Sequence, residues 1–177
     1  MFERIGDVRE LLVKTLPAVP SSFLIVDVQS QTMLLVENGI EKKKYTISTS
    51  RFGVGSREGS NMTPPGVHRI AQKIGNDAPA GRIFKSREDT GIDWQPGMTE
   101  ENLILTRILR LEGLEPGINN GPGIDSWDRY IYIHGTNRED LIGTPMSHGC
   151  ICMRNSDVVE LFDAVEEGAI VVISDKQ

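Results

Sequence analysis

From Ser22 onward the sequence falls into short runs rich in β-branched and aromatic residues, each cut off by Gly, Pro, Asn or Asp. These are SFLIVDV (22–28), TMLLVEN (32–38), IEKKKYTIS (40–48), GVHRIAQK (66–73), NLILTRILRL (102–111), RYIYIHG (129–135) and AIVVIS (169–174). Runs of this length and composition suit a pleated, half-buried surface and are too short for core helices. Asn38-Gly39, between two of them, has the residues that a tight hairpin turn with positive φ requires. Several strands punctuated this way predict a mainly β fold, with a sandwich or barrel-like sheet.

Two segments depart from that pattern. Ile5, Val8, Leu11, Leu12 and Leu16 recur at helical spacing, so residues 3–16 read as an amphipathic helix ended by Pro17. Residues 1–20 are then an N-terminal helical appendage and hinge, and 21–177 one domain. Val158, Leu161, Phe162 and Val165 form a second helical stripe, with Asn155 or Ser156 as its cap and Gly168 just past its end. Residues 50–66, 75–100 and 113–128 read as long irregular loops that frame a cleft.

With 177 residues the chain can bury a core without cross-links. A net charge of −6 opposes general nucleic-acid binding, and Lys42–Lys44, its basic run, reads as a solvated strand edge. No apolar run approaches the length of a membrane span. MFERIGDVRELLVKTLPAVPSS has three acids and no apolar stretch of the secretory kind, so a cytoplasmic location stays open.

Scarce side chains gather in one place. IHGTNREDLIGTPMSHGCICMRNSDV (133–158) contains two of three histidines and both cysteines. Cys150, after His148-Gly149 and near the expected start of a helix, has the setting of a reactive thiolate, since a helix N-terminus or an adjacent imidazolium favours the charged form. Gly149 admits a substrate to the backbone, whose amides there suit an oxyanion. His134 closes a strand sixteen positions before Cys150, and together they have the makings of a base and nucleophile pair. No acid stands in an obvious orienting position; a backbone carbonyl also holds an imidazole in one tautomer. His134, His148, Cys150 and Cys152 are zinc-ligand types too, but three ligands within five residues lack the usual spacing, and no metal is assigned. His68 reads as structural.

These residues resemble a known family. IHGT followed by SHGC and an apolar residue is similar to the signature of the L,D-transpeptidase catalytic domain, also called the YkuD or ErfK/YbiS/YcfS/YnhG family. LIVDVQSQTMLLVENG resembles its opening hairpin, TPPGVHRI its T-P-x-G-x-F-x-I segment, and RNSDVVELFDAVEEGAIVVIS its closing helix and strand. The likeness spans about residues 22–174.

The resemblance implies a mostly β fold whose cleft holds a catalytic cysteine. It makes Cys150 the nucleophile, His134 the general base, Gly135 the residue whose carbonyl orients the imidazole, and the Gly149 and Cys150 amides the oxyanion donors. Ser147, His148, Arg154, Asn155, Tyr132 and Thr136 are the expected substrate contacts. Many relatives carry Arg or Asn at the position of Cys152, which reads here as a packed thiol, with a redox partnership to Cys150 as the alternative. The implied partners are peptidoglycan stem peptides at the cell envelope, handled by a monomer through a thioester and without a cofactor. The acceptor is an amine, giving a 3-3 cross-link, or water, giving an L,D-carboxypeptidase. The resemblance also implies acylation by carbapenems. A non-catalytic wall-binding module is the alternative of another class.

Overall fold

The computed structural model describes residues 2–175. It is mainly β, and one sheet of ten strands runs through it. A helix, α1 (Phe2–Thr15), precedes β1 (Ser22–Asp27), β2 (Thr32–Glu37), β3 (Ile40–Thr46), β4 (Gly66–Ile74), β5 (Arg82–Lys85), β6 (Glu88–Asp93), β7 (Ile104–Gly113) and β8 (Tyr132–Gly135). After a 3-10 turn at Glu139–Leu141 come β9 (Ile151–Met153), α2 (Asn155–Ala164) and β10 (Ile170–Ser174). The order is β3-β2-β1-β10-β4-β7-β5-β6, and β8 also pairs with β7 and carries β9 on its other side. Among the strand pairs of the described residues, β1/β10 and β8/β9 are parallel and the others antiparallel.

The period-2 alternation of β1 divides the core. Leu24 and Val26 face the main cluster with Ile70, Leu109, Ile133, Ile151 and the α2 side chains Val158, Leu161 and Phe162. Phe23 and Ile25 face the other way, against Ile5, Val8 and Leu12 of α1. A strand covered on both faces is apolar throughout, which is why LIV reads as a continuous run. The first helix therefore covers one face of the sheet through the stripe that its spacing predicts.

Three local expectations need correcting. Residues 75–100 are not all loop: β5 and β6 form a hairpin whose turn places Ser86 and Arg87 at φ 50° and 70°. Such turns ordinarily signal themselves with Gly or Asn, and this one has neither. The second helix has Arg154 as its N-cap, without a side-chain cap bond, and ends at Ala164 with Val165 extended. Gly168 lies beyond, in the turn into β10, where its N–H donates to Ile70 O. Cys150 is not at the start of that helix, because β9 intervenes.

Candidate active site

β7, β8 and β9 build the site, and parallel pairing of β8 with β9 sets its register. Ile133 stands opposite Ile151, His134 opposite Cys152 and Gly135 opposite Met153. On the other side of β9, Ser48 and Cys152 exchange main-chain hydrogen bonds of 2.8 and 2.9 Å. His134 and Cys150 line one cleft of about 710 Å³, with Ser147, His148, Arg51 and Arg138 on its walls. A larger groove of about 1130 Å³ lies between α1 and the ends of β1 and β10, away from both.

His134 is buried, and its Nδ1 lies 2.7 Å from the carbonyl oxygen of Gly135. A carbonyl only accepts, so Nδ1 carries the proton and Nε2 presents a bare lone pair. This fills the place for which the sequence offers no acid. Gly135 is held from behind: Asn155 Nδ2 donates to Thr136 O at 2.8 Å, and Thr106 Oγ1 donates to Asn155 Oδ1 at 2.5 Å. A Cβ on Gly135 would collide with Asn155 Oδ1 and Leu105 O. Thr106 occupies a β7 irregularity at φ 73°, a strained conformation for a β-branched residue.

Cys150 sits at the cleft floor, partly buried beside Phe84, Ile108 and Tyr132. Its Sγ accepts from Tyr132 N at 3.4 Å and lies 3.5 Å from Tyr130 O. Gly149, at φ 126°, holds a backbone conformation that strains any side chain, and a Cβ there would lie 3.1 Å from Ile131 and 3.3 Å from Met62 O. Ser147 Oγ donates to Cys150 O at 2.5 Å and accepts from Gly149 N at 3.2 Å. The Gly149 amide, an expected oxyanion donor, is therefore engaged. The Cys150 amide makes no hydrogen bond among the described residues and remains open.

His134 and Cys150, the expected base and nucleophile, line the same cleft without a direct contact. Among the described residues no hydrogen bond joins His134 to Cys150. The sulfur facing Nε2 is Cys152 Sγ, at 3.8 Å, as the strand register dictates. Nor is the thiol acidified. Burial pushes Cys150 up to about 11, with the Tyr132 N–H and the Arg129 charge opposing it, and burial lowers His134 to about 4 despite the Gly135 bond. At neutral pH both are uncharged.

Of the expected substrate contacts, Ser147 and His148 line the cleft. Ser147 is buried and serves the loop, whereas His148 is exposed, with Nε2 2.8 Å from Arg51 Nη2 and its ring against Phe52. Four others face elsewhere. Arg154 lies 4.0 Å from Asp157, Asn155 braces Gly135, and the buried Tyr132 accepts from Arg87 at 3.2 Å. Thr136 is buried and donates to Asn102 Oδ1 at 2.7 Å. Sequence reasoning did not find Arg51, Arg138, Asn102 or Arg129, since a lone polar residue in a polar loop carries no pattern. Arg129, just before the strand that carries His134, donates to Gly55 O and Met62 O and so ties the 50–63 loop to that segment. No group of three or more His, Cys, Asp or Glu among the described residues could hold a metal ion.

The comparisons now bear on this arrangement. Residues 21–173 match the family profile of the YkuD L,D-transpeptidase catalytic domain. The chain belongs to this L,D-transpeptidase family. It is 24% identical over 177 residues to the probable L,D-transpeptidase YcfS of Escherichia coli K12, covering 96% of this chain and 49% of that one. A shorter match, 51% over 49 residues, joins it to the putative L,D-transpeptidase YqjB of Bacillus subtilis, covering 27% of this chain and 28% of the other. An L,D-transpeptidase from Mycobacterium smegmatis shares the fold with a TM-score of 0.55 at 16% identity, covering 87% of this chain and 58% of that one. The chain thus spans about half, or less, of the curated relatives it matches.

Two buried histidines make one stability prediction. His68 is held by Gly66 O and Ser126 Oγ in the structural role its sequence position suggests, and burial lowers it, like His134, to about 4. The unfolded chain binds protons near pH 6.5, so between pH 6.5 and about 4 it holds more protons than the folded one. Stability is full above that window and falls as the pH drops through it, by up to about 3 kcal/mol for each histidine. Urea unfolding at pH 7 and pH 4.5 is expected to show a clearly lower midpoint in acid.

Proposed function

We propose that this L,D-transpeptidase family member transfers the acyl group of a peptidoglycan tetrapeptide stem through a thioester on Cys150. The reading is carried by one observation: an imidazole whose tautomer is fixed by Gly135 O lines the same cleft as a thiol whose own amide makes no hydrogen bond among the described residues. Family membership supports the substrate class, and the cell envelope is the proposed place of action. The cleft walls carry both signs of charge, Arg51 and Arg138 with Glu100 and Glu101, which suits a stem that bears carboxylates and an amine.

Because base and thiol are neutral at rest, proton removal accompanies attack. Nε2 of His134 takes the Cys150 proton as sulfur bonds to the carbonyl carbon of the stem's third residue. The Cys150 N–H faces the developing oxyanion. The intermediate collapses as His134 returns the proton to the departing amine of D-Ala, leaving the thioester. A side-chain amine of a second stem then attacks, its proton passes to His134, and the sulfur leaves and recovers that proton. His134 must first swing off Cys152, so a small movement precedes chemistry. Incubating the chain with tetrapeptide stems and analysing products by mass spectrometry tests this. The expected product is a cross-linked dimer lacking one D-Ala; a tripeptide alone would make water the acceptor, and unaltered stems would overturn the proposal.

A further inference from the structure

Resting on the acyl-transfer reading, we infer that Cys152 is a positioning residue that engages His134 between turnovers, so that two thiols compete for one imidazole nitrogen. The contact depends on Cys152, at a position where the family resemblance implies Arg or Asn in many relatives. Cys152 is fully buried, and water does not compete for its contacts. Its main chain is fixed on one side by β8 and on the other by the paired bonds with Ser48.

Its sulfur has a defined polarity. Thr136 Oγ1 donates to Asn102 Oδ1, which sets the amide so that Asn102 Nδ2 donates to Cys152 Sγ at 3.3 Å. The sulfur is thereby an acceptor toward Asn102, and its S–H is left to point at another partner. The polar atom in reach is His134 Nε2 at 3.8 Å, the lone pair that Gly135 leaves bare. A chain of contacts therefore runs Thr136, Asn102, Cys152, His134, Gly135, and it ends on the atom that acyl transfer needs. Cys150 is turned instead to the main chain of Tyr130 and Tyr132. Freeing Nε2 from one thiol lets it reach the other.

A sulfhydryl is a weak donor and a hydroxyl a stronger one, so the two simplest substitutions separate this role from packing. Acylation of intact protein by a carbapenem, followed by mass spectrometry at several concentrations, yields a limiting first-order rate and a half-saturating concentration. Cys152→Ala is expected to raise the limiting rate about threefold or more and Cys152→Ser to lower it by a similar factor, with the half-saturating concentration unchanged in both. Cys152→Val, of similar volume and without a donor, replaces Ala should the smaller side chain fail to fold. The Nε2 nitrogen signal of His134 in NMR is expected to shift in opposite directions in Ser and Ala. Rates that move in the same direction, or stay within about twofold of the parent, overturn the inference while leaving acyl transfer intact. If the parent takes no adduct, acyl transfer fails by itself and the nitrogen signal decides: opposite shifts sustain the contact, and unchanged signals remove it.

Discussion

Replacing Cys150 with Ala is expected to lower D-Ala release from tetrapeptide stems by at least about a thousandfold, to the background without enzyme. The size follows from the lack of a substitute. Cys152 is the only other thiol, and it is fully buried, turned toward His134 and outside the cleft lining. Neither it nor a serine of the cleft has both exposure and a free amide beside its reactive atom. Ser147 Oγ already bonds Cys150 O and Gly149 N. The exchange removes one sulfur from the cleft floor and with it only the long contacts to Tyr132 N and Tyr130 O, at 3.4 and 3.5 Å, so the unfolding midpoint should fall only slightly. D-Ala release with Cys150→Ala close to that of the parent would place the nucleophile elsewhere.

His134→Ala is expected to cost about 10²- to 10⁴-fold in acylation rate, the range for losing a positioned base. The thiol is far from deprotonated on its own, pushed up to about 11 by burial, so it depends on a base within the cleft. The substitution also strands Gly135 O, the acceptor of the ring's Nδ1–H, at a cost of about 1–3 kcal/mol in stability. Circular dichroism and a midpoint measurement separate that structural cost from the kinetic one. His148→Ala is the matched control: His148 is exposed on the rim beside Arg51 and touches no atom of the pair. Its loss should change the substrate concentration dependence and leave the limiting rate close to the parent's. A larger loss of limiting rate at His148 than at His134 would exchange their roles.

β1, β2, β7 and β10 could be read from the sequence because their side chains are largely buried, and the exposed β3 because Asn38-Gly39 announces its hairpin with β2. The β5/β6 hairpin escaped because Ser86 and Arg87 adopt positive φ without the residues that announce it, and every residue of β6 is exposed. β9 escaped for a different reason: three residues are too few for a period, and ICM between SHGC and a helix reads equally well as a cap. That short strand matters most for the site, because it moves Cys150 off the helix N-terminus and sets Cys152 opposite the imidazole. Motif spacing brought His134, Gly135, Ser147, His148 and Cys150 to one region but was silent on which atoms meet. Those contacts depend on register, on the brace of Thr106 and Asn155 behind Gly135, and on Arg129, none of which has a local signature.

The central claim, that Cys150 is the residue acylated in this cleft, is tested most directly by mapping the site of modification. Intact chain is incubated with a carbapenem, weighed, digested and sequenced by mass spectrometry. A single adduct of the full carbapenem mass on the peptide containing Ile151, located at Cys150 and absent from Cys150→Ala, is the predicted result. An unmodified chain, or an adduct located at Cys152, would contradict the account.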